Sequence, residues 1–171
     1  TLQAVLGPLV QEYGGSESNG DGPPFPTVAA NTILSTTGII LGLSQRLMEM
    51  LIPRVEGFDE ETRISDVFLG LADFMKVYTH YIKAYEPFMT EFFPFWQTVK
   101  QKLAATGDFL SFESCLIVPV QRIPRYQLLI GDYLKSTPEG HPERTDLKLA
   151  LEKVAAVGQY VNNMQRFYED L

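Results

Sequence analysis

Apolar residues recur along this chain mostly at three- and four-residue spacing, the period of one face of an α-helix. Leu2, Val5, Leu6, Leu9 and Val10 set that spacing in Thr1 to Tyr13, which read as the tail of a helix beginning upstream. Ile33, Ile40, Leu41, Leu43, Leu47, Met48 and Leu51 carry a long helix from Thr27 to about Pro53. Within it, Gly38 and Gly42 each lower helix propensity by roughly 1 kcal/mol relative to Ala. The next helix is expected to begin near Asp59-Glu60-Glu61, acids suited to the positive end of a helix dipole, or to restart at Ser65, a natural N-cap. It continues through Val67, Phe68, Leu71, Phe74, Met75, Tyr78, Tyr81, Ile82 and Tyr85 to a break at Pro87 or Pro94. Phe95 to Ala105 follow as a shorter helix closed by Thr106-Gly107. Phe112 to Ser136 form another, with interruptions expected at Pro119 and Pro124. Thr137-Pro138-Glu139-Gly140 reads as a turn, and a last helix runs from about Glu143 to Leu171. No segment of comparable length alternates with period two. The pattern predicts an all-α fold, an elongated bundle of about six helices forming one domain over residues 1–171.

The stretch from Gly14 to Pro26, rich in Gly, Pro, Ser and acids, breaks the pattern and is expected to be a flexible loop. With 171 residues and a 45% hydrophobic share, the chain can bury a real core. Its 14 Lys and Arg against 21 Asp and Glu leave a net charge of −7, which argues against nucleic acid or a polybasic membrane contact. A single cysteine, Cys115, excludes an intrachain disulfide and a thiolate zinc site. No continuous apolar run reaches the ~18 residues of a membrane span, and no secretory signal opens the chain. The expectation is a soluble, cytoplasmic domain.

Covalent chemistry finds little to stand on. Glycine-rich phosphate loops and the Gly-x-Ser-x-Gly elbow are missing from the sequence. His80 and His141 lie in different elements, and His80 shares no helix face with Asp73 and Glu86, so no metal site and no cofactor are expected. Cys115 has no adjacent histidine and reads as a buried structural thiol. Asp59-Glu60-Glu61 reads as capping and solvation, and the aromatics from Tyr78 to Trp96 as core.

The segment Ser114 to Thr137, SCLIVPVQRIPRYQLLIGDYLKST, carries more information. At 100° per residue, Leu116, Val120, Ile123, Ile130 and Leu134 form a stripe to be buried. Ser114, Ile117, Gln121 and Arg125 fall on another face, within an arc of about 80°. A solvated face is usually rich in Lys and Glu; this one mixes apolar, polar and cationic groups. On pattern alone a partner surface and an ordinary helix face, with Gln121 and Arg122 bonded to loops of the bundle, stand level.

Pro119-Val120-Gln121-Arg122-Ile123-Pro124-Arg125-Tyr126 followed by Leu128-Leu129-Ile130 resembles the signature helix of the Dbl-homology (DH) domain. Thr137 with His141-Pro142-Glu143 resembles the family's T-x-x-x-H-P-D turn, with Glu143 in place of the usual Asp. Ile64 to Leu69 and Tyr78 to Tyr85 resemble its second block, and order and spacing agree from Leu2 to Leu171. The resemblance implies a guanine-nucleotide exchange factor that binds a Rho-family small GTPase and promotes GDP release by remodelling its switch regions. Such a factor acts by binding linkage and is not an enzyme in the bond-making sense. It also implies roles. Arg125 and Asn162 match positions that engage switch II, and Gln121 a position near the same surface. Ser114 and Ile117 match positions that read the β2–β3 region of the GTPase, and isoleucine there favours a Rac-type partner.

Two departures accompany the match. Val118 replaces a lysine often found before the Pro-Val-Gln-Arg run, and the family's switch I-contacting glutamate would lie upstream of Leu2. The first helix is therefore expected to be truncated. An exchange-inactive scaffold of DH fold, binding a GTPase without releasing nucleotide, is the alternative. Membrane or cytoskeletal recruitment is left to flanking domains, such as the pleckstrin-homology domain that commonly follows a DH domain.

Overall fold

The structure, a computed structural model, describes the backbone of residues 2–15, 23–103 and 110–169, and the side chains of 6–15, 23–97 and 114–159. Six helices make up the described residues, with no strand among them. They are α1 (Leu2–Tyr13), α2 (Thr27–Glu56), α3 (Ser65–Leu71), α4 (Lys76–Leu103), α5 (Leu110–Ser136) and α6 (Arg144–Glu169). The centre of the Gly14–Pro26 loop, residues 16–22, lies outside the described residues.

The helix count agrees with the sequence pattern, but the divisions fall elsewhere. α4 does not break at Pro87 or Pro94; both prolines lie inside one helix, so no separate helix begins at Phe95. Each proline removes the N–H that would bond the carbonyl four residues back, that of Lys83 or Thr90. All four residues are exposed, which puts those carbonyls on the solvent side of the helix. The break comes earlier, at Ala72–Met75, where tight i→i+3 bonds from Met75, Lys76, Val77 and Tyr78 separate α3 from α4. α5 likewise runs unbroken through Pro119 and Pro124. Beside the carbonyl orphaned by Pro119, the Tyr81 hydroxyl donates to the Leu116 carbonyl at 2.7 Å.

The chain groups into two compact units. The first takes Thr1–Gly38 and His80–Pro119. Leu6, Leu9, Ile33, Tyr81, Phe88, Phe92, Phe95, Trp96 and Leu116 are buried in it, so the aromatic run along α4 is core, as the spacing predicts. Phe88 stacks on Phe92 at 4.7 Å between ring centroids, and Phe95 meets Tyr13 and Phe25 edge-on at 5.2 and 5.1 Å. Such pairs contribute about 0.5–1.5 kcal/mol each beyond their buried area. Cys115 is half-buried rather than buried, because it sits one position off the Leu116 stripe.

The second unit takes Ile39–Thr79 and Val120–Leu171. Leu47, Val67, Phe68, Leu71, Met75, Tyr78, Ile123, Tyr126, Ile130, Leu147 and Val154 are buried there, and α3 packs on α6. No helix starts at Asp59; its carboxylate instead closes a turn, accepting from the Thr62 hydroxyl at 2.7 Å and the Glu61 N–H at 3.0 Å. Ser65 does begin α3 but does not cap it, and its buried hydroxyl has no partner among the described residues. The cap comes from Glu143, whose Oε1 accepts from the N–H groups of Ile64 and Ser65 while Oε2 accepts from the Tyr133 hydroxyl at 3.1 Å. Burial, then the Glu143 charge, pushes the Tyr133 hydroxyl above the usual phenol range. Arg144 donates to the carbonyls of Leu134 and Thr137 at the end of α5, and Arg54 pairs with Asp66 at 2.7 Å across α2 and α3.

α2 corrects one further expectation. Its continuous apolar runs are short, yet an 18-residue window averages a hydropathy of 1.3, so the helix is long and apolar enough to cross a membrane by length and composition. The reason is that α2 carries no charged residue before Arg46, the polar positions being Thr, Ser, Asn and Gln.

Candidate functional site

α5 presents the face that the spacing isolates. Leu116, Val120, Ile123 and Ile130 are buried, and Leu134 at the end of the stripe is half-buried. On the part of the helix in the first unit, Ser114 is exposed and Ile117 half-buried. On the part in the second unit, Gln121 and Arg125 are exposed. Neither has a hydrogen-bond or ion-pair partner among the described residues. Among the described residues Gln121 therefore bonds no loop of the bundle, and the Arg125 guanidinium, with its five donors, meets no acceptor there.

Three exposed apolar residues accompany them: Val118, noted above as a departure, and Leu128 and Leu129, to which the sequence reading gave no role. Leu128 is 67% exposed, Leu129 65% and Val118 51%. Leu128 stands three residues beyond Arg125 and seven beyond Gln121, inside the same arc of about 80°. The projection that picked out Arg125 holds this signal too: a leucine of the signature lies off the buried stripe. An exposed cation flanked by exposed leucines matches the composition of protein interfaces, where Arg and large apolar groups are enriched and Lys and Glu depleted.

Arg122, between the two exposed residues, turns inward and sets the rotation of α5. Its Nε donates to the Tyr126 hydroxyl at 3.1 Å, with the guanidinium 5.4 Å from that ring's centre. Tyr126 meets Phe68 edge-on at 6.0 Å and adjoins the Tyr78 hydroxyl, which also adjoins Ser44. Burial above all, then the Tyr126 charge, pushes the Tyr78 hydroxyl up to about 12, with Ser44 and Arg122 acting the other way. The Tyr126 bond raises the Arg122 guanidinium further above its already high range. With Arg122 and Tyr126 held beneath, Gln121 and Arg125 point outward by helix geometry.

Asn162 lies in the backbone of α6, and its side chain is outside the described residues. One turn before it, α6 comes very close to α5. A Cβ on Gly158 would lie 2.6 Å from Gln127 Oε1, so glycine is what lets that amide rest on α6. Among the described residues no group of three or more His, Cys, Asp and Glu is placed to hold a metal ion. His80 is exposed and His141 half-buried.

Comparison with known proteins identifies the family of the chain. A family model described as the RhoGEF domain matches residues 6–162. The chain is 35% identical over 152 residues to the Dictyostelium discoideum protein named guanine exchange factor for Rac 30, covering 85% of this chain and 9% of that protein. It is 31% identical over 159 residues to mouse FYVE, RhoGEF and PH domain-containing protein 4, covering 86% of this chain and 20% of that one. To human FYVE, RhoGEF and PH domain-containing protein 1 it is 34% identical over 149 residues, covering 81% and 15%. The chain thus spans between 9% and 20% of the length of these relatives.

Proposed function

This chain belongs to the RhoGEF domain family, and we propose on that premise that it binds a Rho-family small GTPase through the exposed face of α5 and accelerates release of its GDP. The observation that carries this reading is the unpartnered Gln121 and Arg125 on a helix locked from beneath by Arg122 and Tyr126. Exchange needs no covalent step. A factor that binds the nucleotide-free GTPase more tightly than the loaded form weakens nucleotide affinity by the same factor. A nucleotide held at picomolar affinity represents roughly 16 kcal/mol, part of which the interface offsets. Charge-assisted hydrogen bonds of about 1.5–3 kcal/mol each supply a useful share.

In this reading Arg125 and Asn162 hold switch II in a form that disfavours nucleotide phosphate, with Gln121 beside them. Ser114 and Ile117 contact the β2–β3 region and bias partner choice. Ile117 and the name of the Dictyostelium relative both favour a Rac-type partner. The proposed place of action is the cytoplasm, with membrane recruitment left to other parts of a longer protein.

Val118 favours a second reading. It places an exposed apolar group where the family often has lysine, removing one cation from the interface, and a scaffold that binds a GTPase without releasing nucleotide fits that loss. Release of fluorescent GDP from a panel of Rho-family GTPases separates the two. Acceleration with one member, lost in Arg125→Ala and Asn162→Ala at unchanged thermal stability, supports exchange. Binding without acceleration selects the scaffold, and absence of binding to any nucleotide-free member removes both.

A further inference from the structure

In the second unit, the 57–64 segment and the turn between α5 and α6 line an open pocket of about 640 Å³ that the α5 face does not use. Phe58, Tyr133, Pro138 and His141 give it aromatic and apolar walls, and Asp59 and Glu60 are its two acidic residues. No lysine or arginine lines it. The Asp59 carboxylate is fixed by Thr62 and Glu61, bonds that hold it below the usual carboxylate range, the Thr62 bond most of all. The Glu60 carboxylate has no hydrogen-bond or ion-pair partner among the described residues. His141 Nδ1 accepts from the Glu143 N–H at 3.2 Å, and its Nε2 lies 3.4 Å from the Glu60 carbonyl. The imidazole is thus tied to the wall rather than aimed at the space.

One fixed and one free acidic side chain, no lysine or arginine, and an aromatic wall are the complement of a cation on an apolar stem. We infer that this pocket docks an arginine side chain carried on a basic segment of a partner protein. Guanidinium fits better than ammonium because it is planar and weakly hydrated, stacks on rings such as Phe58 and Tyr133, and forks toward carboxylates. The volume exceeds that of one side chain and falls within the range of about 300–1,000 Å³ usual for ligand pockets, so neighbouring residues of the segment enter with it. This inference is independent of the exchange reading, since neither Gln121 nor Arg125 takes part.

Fluorescence polarisation with labelled tetra-arginine, tetra-lysine and tetra-citrulline peptides tests it, on the parent chain and on Phe58→Ala, Glu60→Gln and Glu152→Gln. Phe58, Glu60 and Glu152 are exposed, so the variants fold, and Glu152 on α6 provides the same charge change away from the pocket. The expected result is binding of tetra-arginine, about tenfold weaker binding of tetra-lysine and none of tetra-citrulline. Phe58→Ala and Glu60→Gln should each weaken tetra-arginine binding by about fivefold while Glu152→Gln leaves it unchanged. Equal losses in Glu60→Gln and Glu152→Gln would reduce the effect to diffuse attraction by an acidic chain and overturn the site. Tetra-lysine binding as tightly as tetra-arginine would overturn the guanidinium assignment, and no tetra-arginine binding would overturn both.

Discussion

Glu143 is fully buried, and a carboxylate is tolerable there because three donors surround it: two backbone N–H groups at the start of α3 and the Tyr133 hydroxyl. Glu143→Ala leaves all three unsatisfied, for an expected loss of about 2–4 kcal/mol and a fall in Tm of about 5–12 °C. Thermal unfolding followed by circular dichroism checks this; a change under about 2 °C would mean that water replaces the carboxylate. Tyr78 gives a pH-dependent counterpart. Its folded value of about 12 lies above the ordinary 10, so the unfolded chain releases this proton first as pH rises. Its contribution to stability is complete below pH 10 and is lost as pH rises through the folded value, with a total of about 2–3 kcal/mol. Tyr78→Phe should stay within about 1 kcal/mol of the parent at pH 7 and should lose less stability between pH 10 and 12. Urea midpoints at pH 7, 10 and 11.5 read both effects. Parallel curves across that range would show that the hydroxyl titrates in the folded protein as it does in water. Little of this was legible beforehand. Glu143 stood out only as a departure from the T-x-x-x-H-P-D turn, because its partners lie 78 and 79 residues away. Ser65 looked like a cap because sequence cannot show that a distant carboxylate already holds the N–H groups.

At the scale of the helix, the apolar period located five of the six helices to within a few residues of one end, and proline misplaced the divisions. A proline costs a helix one hydrogen bond and a clash, but at Pro87 and Pro94 that cost falls on the wet side of a helix whose other face buries Phe88, Phe92, Phe95 and Trp96. Packing of that aromatic face outweighs local propensity, and nothing in the immediate neighbourhood of a proline reveals it. The true division at Ala72–Met75 contains neither Gly nor Pro. Its tight turn shifts the phase, so Met75 is buried and Phe74, placed on the apolar stripe by sequence, is 66% exposed. Pro87→Ala should therefore stabilise the domain. It restores an N–H to the Lys83 carbonyl and relieves the clash, for an expected gain of about 1–2 kcal/mol and a rise of about 2–6 °C in Tm. A fall instead would show that the aromatic packing depends on a bend the proline maintains.

For the molecule as a whole, the proposed GTPase-binding face is built on arginine and leucine, although the chain carries a net charge of −7. Diffuse attraction is weak here, since at physiological ionic strength the field decays over about 8 Å. Affinity must then come from local contacts, and the exposed leucines of α5 are the largest apolar groups beside Arg125. Leu128→Glu tests this more sharply than truncation to alanine, because it adds a charge that the bound state would have to desolvate beside apolar surface. Leu128 is already 67% exposed, so folding should be unaffected, with a change in stability within about 0.5 kcal/mol. GTPase binding should weaken by at least about tenfold and exchange should fall with it. Leu149→Glu, at a 43% exposed leucine on α6, makes the same chemical change elsewhere and should leave both unchanged. Isothermal titration against a nucleotide-free GTPase, paired with the nucleotide-release assay, reads the two quantities on the same proteins. Equal losses from the two variants would trace the effect to added negative charge on an acidic chain. No loss from Leu128→Glu would move the interface away from this part of α5, and with it the role assigned to Arg125.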